Sequence, residues 1–406
     1  MSTDTLCPQG PAAVEEHEPA ATRGLALLVS IVVSFLAASA APTPLYQHYD
    51  AVWHGTALTT TEAFGIYALA VIAGLLALGE LSTHIGRRPV LLTALAAQAV
   101  AVLLFATATS FTPLFVGRVL QGLAAGAALG TLGAAMIDLH RERGTVASSA
   151  APGAGTGLGA LVAGLVVGYL PWPTHLVYVA LALVFALQAV GVVLLVETGT
   201  TRPGWLASLR PKVAVPVAAR GAFLAAAPVL FAVWALAGFY GSLGPSLARQ
   251  LAASTSVTLG GLGLFVLAGI ASLTTIAFRN HHALRQMAIG IVTLVVGVAG
   301  TIAAIGAGSI AGYLVATAVA GIGFGSGLQG GIRTVVPLVE AAERPGLLSA
   351  VYLVCYAGMG FPAVVAGYLV SRGDGLTHVA VGYAVVLIVL ALAAVAGLAT
   401  ARRTDA

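Results

Sequence analysis

Residues 111–136 read FTPLFVGRVLQGLAAGAALGTLGAAM, and the only charge among them is Arg118. As a helix this stretch rises about 39 Å, more than the roughly 30 Å hydrocarbon core of a bilayer. An arginine at the bilayer centre costs about 2.5–3.5 kcal/mol, so Arg118 must face a polar partner or cavity rather than lipid. Gln121 follows three residues later, on the same helix face. Gly122, Gly126 and Gly130 recur at every fourth position and make a stripe against which a second backbone can pack closely.

Eleven further apolar runs flank this one. They cover 25–46, 61–79 and 89–107 before it and 146–170 and 176–196 after it; beyond a polar stretch come 222–243, 257–278, 287–305, 310–336, 347–370 and 379–400. The whole chain of 406 residues is 59% hydrophobic and 8% charged, with a mean hydropathy of +0.99. Hydrocarbon offers backbone N–H and C=O groups no partner, so only helices and closed barrels span it, and unbroken apolar runs without alternation select helices. The sequence therefore predicts an all-α membrane protein with twelve transmembrane helices.

Residues 197–220 divide the runs six and six. They carry Arg202, Arg210, Lys212 and Arg220 with Pro203, Pro211 and Pro216, the composition of a solvated linker. The second half repeats the first weakly: Gly122 and Gly126 lead to Arg141–Gly144, as Gly321 and Gly325 lead to Glu343–Gly346. The expected organisation is a disordered cytoplasmic tail (1–24), a six-helix bundle (25–196), a cytoplasmic linker (197–220), a second, pseudo-symmetric six-helix bundle (221–400) and a short cytoplasmic tail (401–406). An inside N-terminus places Arg23, Arg87, Arg88, Arg141, Arg143, the four linker cations, Arg279, Arg285, Arg344, Arg402 and Arg403 in the cytoplasm, with only Arg249 and Arg372 outside. The long acidic lead before the first run argues against a cleaved signal peptide.

The loop after the second run is Gly79-Glu80-Leu81-Ser82-Thr83-His84-Ile85-Gly86-Arg87-Arg88-Pro89. It resembles the loop between helices 2 and 3 of the major facilitator superfamily, Gly-x-Leu-x-Asp-Arg-x-Gly-Arg-Arg/Lys. Gly79, Leu81, Gly86, Arg87 and Arg88 match, whereas Thr83 and His84 stand where the family has Asp and Arg. Arg118-x-x-Gln121-Gly122 resembles the family's helix 4 signature, associated there with proton-coupled exporters. In the fifth run Gly155, Gly159 and Gly164 fit the exporters' glycine motif, while Ala160 and Ala163 replace its Pro and one Gly.

The resemblance implies two bundles that rock about a shared site, with Gly79, Gly86, Arg87 and Arg88 in a gate loop and Gly122, Gly126, Gly130, Gly159 and Gly164 at helix contacts. Arg118 and Gln121 are the leading functional residues. Trp234, Tyr240 and Tyr356 are candidates to line an amphipathic path, and Gln329 and Arg333 stand in a glycine-rich tenth run. No Asp or Glu lies inside any run, so the candidates for proton coupling are Glu62 and Asp138 at helix ends, with Asp50 in the first outer loop.

The only lysine, Lys212, is not in a P-loop, which leaves an ion gradient or downhill flow as the driving force. The expected function is export of a small amphipathic compound or metabolite in exchange for protons. A nutrient or sugar symporter or facilitator of the same fold is the alternative, and a non-transporting membrane sensor a remote one. Neither a zinc motif nor a nucleophile turn is present, so no enzyme is expected. Cys7 and Cys355 stand apart and the nine histidines are scattered, so no metal and no cofactor is expected. The expected partners are the bilayer and a small-molecule substrate, not nucleic acid. A monomer in the plasma membrane, with both termini cytoplasmic, completes the expectation.

Overall fold

The computed structural model describes residues 11–197, 199, 201–340 and 342–404, and every regular element among them is helical. Twelve long helices follow one another: α1 (Pro11–Ala40), α2 (Ala57–Leu78), α3 (Arg87–Ala106), α4 (Phe111–Leu139), α5 (Arg141–Tyr169), α6 (Leu176–Leu194), α7 (Arg220–Ser242), α8 (Val257–Ala277), α9 (Ala283–Gly306), α10 (Ile310–Val335), α11 (Arg344–Ser371) and α12 (Leu376–Thr404). All twelve contain a stretch long and apolar enough to cross a membrane. The sides of the membrane are named here by their charge. The basic face holds the α2–α3, α4–α5, α8–α9 and α10–α11 connections and the linker; the far face holds the others.

Local chemistry sets the helix ends. Thr56 and Thr59 close a capping box at the start of α2, and Ser309 and His140 accept the first free N–H groups of α10 and α5. The first apolar run, read as continuous over 25–46, breaks after Ala40 because Pro42 and Pro44 cannot continue the ladder; a 3-10 turn (Thr43–Leu45) and a short helix (Tyr46–Trp53) follow. At its other end α1 begins at Pro11, so residues 11–24, expected as a disordered tail, enter the helix with Pro at its first position and Ala- and Glu-rich formers behind it. Residues 1–10 lie outside the described residues. α12 takes in 401–404 of the expected second tail, and 405–406 are likewise outside.

The packing has a twofold pattern. In the first half α1 packs on α4, α5 and α6, α2 on α4, and α3 on α4 and α6; each pairing recurs six helices later, α7 on α10, α11 and α12, α8 on α10, and α9 on α10 and α12. Two further broad contacts, α5 with α8 and α2 with α11, join the halves, and the same six-helix shift exchanges one for the other. These four helices form the seam. The linker lies across the basic face, where Lys212 Nζ donates to Glu80 Oε2 at 2.7 Å and Ala214 N to Gly346 O at 3.2 Å, touching both halves.

Candidate transport site

Arg118 projects from α4 into the first bundle and is fully enclosed. Its Nη1 donates to Ser39 O at 2.8 Å and to Gln121 Oε1 at 3.1 Å, and its Nη2 donates to the Tyr46 hydroxyl. Gln121 Nε2 returns to Ala38 O at 3.1 Å, so both side chains bond the carbonyls freed where α1 ends. The rings of Tyr67, Tyr46 and Phe105 surround the guanidinium with centroids 5.5, 5.6 and 5.7 Å from Cζ. No carboxylate pairs with it among the described residues. Charge-assisted hydrogen bonds of about 1.5–3 kcal/mol each, with ring contacts of up to about 2, are enough to offset the cost of the buried cation. Nε alone is left without a partner.

On the other side of Tyr67 lies the seam. Phe64, Tyr67, Ala68 and Val71 of α2, Ala125 of α4, and Tyr356 and Met359 of α11 form one buried cluster, and half-buried Ile72, Leu129, Trp234 and Tyr352 pack on it. Each buried member sits near the middle of its helix, so the cluster lies at mid-depth and draws on both bundles. Trp234 and Tyr356, both anticipated, meet with ring centroids 4.6 Å apart, and Phe324 approaches Trp234 at 6.4 Å. The indole Nε1 of Trp234 is buried and has no hydrogen-bond partner among the described residues. Of the four half-buried members, Ile72, Leu129 and Tyr352 lie toward the basic ends of their helices and Trp234 past the middle of α7 toward its far end.

The far face of the seam is closed. Thr43 Oγ1 donates to Gly241 O at 3.1 Å, Gln47 Nε2 to Ser246 Oγ, and Leu58 N to Ser371 Oγ at 2.9 Å. A Cβ on Gly367 would fall 1.9 Å from Thr61 Oγ1, and one on Gly65 2.7 Å from Val364, so α2 and α11 touch through glycine here.

Around the gate loop, Gly86 adopts φ +96°, a conformation that favours glycine, and starts α3. Glu197, which the sequence reading passed over as the first residue of the linker, accepts the N–H of Arg87 at 3.0 Å and of Arg88 at 2.9 Å. Burial alone would raise this carboxyl; the N–H groups of Arg88, Gly199 and Arg87, with the charge of Arg87, outweigh it and hold the carboxyl below its usual value. Arg87 also pairs with Asp138 at the end of α4. Two carboxylates from elsewhere in the chain thus supply what the Thr83 position lacks. Asp138, a candidate for proton coupling, is engaged at the basic face and not in the seam.

Other anticipated residues go to other places. Tyr240 does not line the path: it is buried in the second bundle, its hydroxyl 2.7 Å from Thr317 Oγ1 and its ring stacked on Tyr313 at 5.6 Å, because it points inward from α7. Arg333 is an anchor at the basic end of α10, donating to Arg279 O at 2.9 Å and Gln286 Oε1 at 3.2 Å, and Gln329 is bonded by Gln286 in the same group. Glu62 is half-buried at the far end of α2, and Gly79 caps that helix at the basic end. A Cβ on Gly122 or Gly126 would clash with the α2 backbone at 2.7 and 2.5 Å, one on Gly159 with Ala37 Cα at 2.3 Å, and one on Gly164 would press Thr258 across the seam at 3.2 Å. Gly130 meets nothing within 4 Å, so the predicted stripe of three is a stripe of two.

Similar proteins agree with this architecture. The solved structures of a nucleoside transporter, NupG (14% identity, TM-score 0.72, 92% of this chain and 99% of that one), of a bacterial homolog of the human lysosomal transporter Spinster (13%, 0.70, 97% and 98%) and of the human organic anion transporter MFSD10 (16%, 0.66, 95% and 100%) share the fold. The family model of the Major Facilitator Superfamily matches residues 24–357, and with that match over most of its length the chain belongs to this superfamily of transporters.

Proposed function

We propose that the chain is a secondary active transporter of the plasma membrane that exports a small amphipathic compound in exchange for protons. The basic face is cytoplasmic by the positive-inside distribution, which puts both termini inside. The observation that carries the reading is the mid-depth cluster on both sides of the seam, which presents Trp234, Tyr352 and Tyr356 beside an indole N–H without a partner. Such a surface takes an aromatic or aliphatic body and one hydrogen-bond acceptor. The bonds that shut the far face of the seam fit the loading state of an exporter. The similar structures named for nucleosides and organic anions accord with a small organic cargo.

A toxicity and metabolite screen of a deletion strain identifies the cargo, and inverted vesicles then measure its flux. Trp234→Phe keeps the ring and loses the N–H; we expect an apparent affinity about tenfold weaker, the worth of one hydrogen bond, at a near-normal maximal rate. Unchanged affinity in Trp234→Phe together with normal flux in Trp234→Ala would remove the cluster from the transport path. Cargo that moves without ever collapsing a preformed pH gradient would count against proton exchange.

A further inference from the structure

A second polar site lies in the far-face seal. A cavity of about 200 Å³ is lined from the first bundle by Thr43, Gln47, Asp50 and Thr60 and from the second by Ser242 and Ser246. Its lining carries one formal charge, that of Asp50. Asp50 Oδ2 accepts from Thr60 Oγ1 at 2.7 Å, whereas Oδ1 is buried and has no hydrogen-bond partner among the described residues. Gln47 donates its amide nitrogen to Ser246 across the seam, which leaves Gln47 Oε1 equally buried and equally without a donor. Gln47 and Asp50 are one turn apart on the same short helix, so two unpartnered acceptors share one face. A proton on the carboxyl would turn Asp50 from an acceptor into a donor. Oδ1 lies against the chain at Gly55, where an added Cβ would fall 2.4 Å from it.

We infer that Asp50 is a proton-binding site of the far-face gate: the seam closes over it when the carboxyl is protonated and opens when it is charged. This rests on the alternating-access reading above. Closing the seam around a carboxylate buries a charge without a counter-ion, whereas an open seam hydrates it. The bonds Thr43–Gly241 and Gln47–Ser246 that hold the seal flank the group, so its charge acts where the two halves part. The other ionisable groups around it are Tyr46, His48, Tyr49 and His54 on its own helix, Glu62 on α2, Arg249 on the short helix that contributes Ser246, and Arg118 behind Tyr46.

Spin labels at Thr109→Cys and Gly375→Cys, exposed in far-face loops of opposite halves, report the opening in a background of Cys7→Ala and Cys355→Ala. The full-length protein is titrated between about pH 5 and pH 8 without cargo. We expect the closed population to grow as pH falls, with the closed-to-open ratio changing up to about tenfold per pH unit, as one bound proton dictates. Asp50→Asn is expected to stay closed at every pH, while His48→Gln, His54→Gln and Glu62→Gln keep the wild-type response. If Asp50→Asn does not fold, Thr60→Val serves: loss of the hydroxyl that favours the carboxylate moves the midpoint to higher pH. A flat wild-type titration, an Asp50→Asn protein that still titrates, an unmoved midpoint in Thr60→Val, or closure driven by Na⁺ at fixed pH would each overturn the assignment. The distances need no cargo, so failure here leaves the flux tests of export standing, and failure of those tests leaves this site standing.

Discussion

The two bundles share a set of helix pairings and differ at their centres. The register that pairs Gly122 with Gly321 pairs Arg118 with Thr317, and both side chains are fully buried. In the first bundle the position holds a guanidinium bonded to carbonyls, an amide and a phenol; in the second it holds a hydroxyl bonded to Tyr240. One fold accommodates either, so helix packing does not require the cation. A neutral pair fills the position in the second bundle. In the first, Tyr67 stands between Arg118 and the seam, and Tyr46 between Arg118 and the cavity at Asp50.

The comparison breaks most sharply at that pair. Arg118→Met, close to arginine in shape, is expected to lower export at least about a hundredfold in inverted vesicles, while the protein still inserts and elutes as one folded species. Thr317→Val removes two neutral hydrogen bonds, to the Tyr240 hydroxyl and to Tyr313 O, costs about 2 kcal/mol, and is expected to leave export within about twofold of wild type. Equal loss of flux in both variants would show that the two centres serve the same purpose, and normal flux in Arg118→Met would show that the cation has none.

A smaller effect tests the glycines on the same helix. Gly126 and Gly130 read alike in sequence, yet a Cβ at Gly126 would lie 2.5 Å from Val71 O and from Leu75 N, and one at Gly130 meets nothing. Gly126→Ala should cost about 1–3 kcal/mol by forcing α2 away from α4, seen as a lower melting temperature in detergent, whereas Gly130→Ala should leave it unchanged. A silent Gly126→Ala would mean that α2 and α4 are not in close contact at that turn.

These two glycines also mark what could be read from the chain. Span number and the need of Arg118 for polar partners follow from hydropathy and from the cost of charge in lipid, quantities that each residue carries by itself. Which face of a helix meets which neighbour is not carried that way. Trp234 and Tyr240 are six residues apart on α7, and one reaches the seam while the other turns into the bundle core. Asp50 was named as a candidate for proton coupling, but its place beside the far-face seal was not legible, and Glu197 was passed over as a linker carboxylate, because Thr60 and Ser246 in one case and the start of α3 in the other are brought near only by folding.

Glu197 gives the smallest and most specific test of the asymmetry. The free N–H groups at the start of α3 find a carboxylate, whereas the equivalent end of α9 begins at His282 without a side-chain cap. The carboxyl is held below its ordinary value, so its contribution to stability is complete above the unfolded value of 4.5 and disappears as pH falls through the lower, folded one. The group is only partly buried and water screens it, so the gain is modest. Glu197→Gln should melt about 1–2 °C below wild type at neutral pH, and the gap should close on acidification below the ordinary carboxylate range. His282→Gln at the uncapped end of α9 should show no such convergence. A gap in Glu197→Gln that persists unchanged in acid would mean that the side chain holds α3 through packing rather than charge, and the basic faces of the two halves would then be alike.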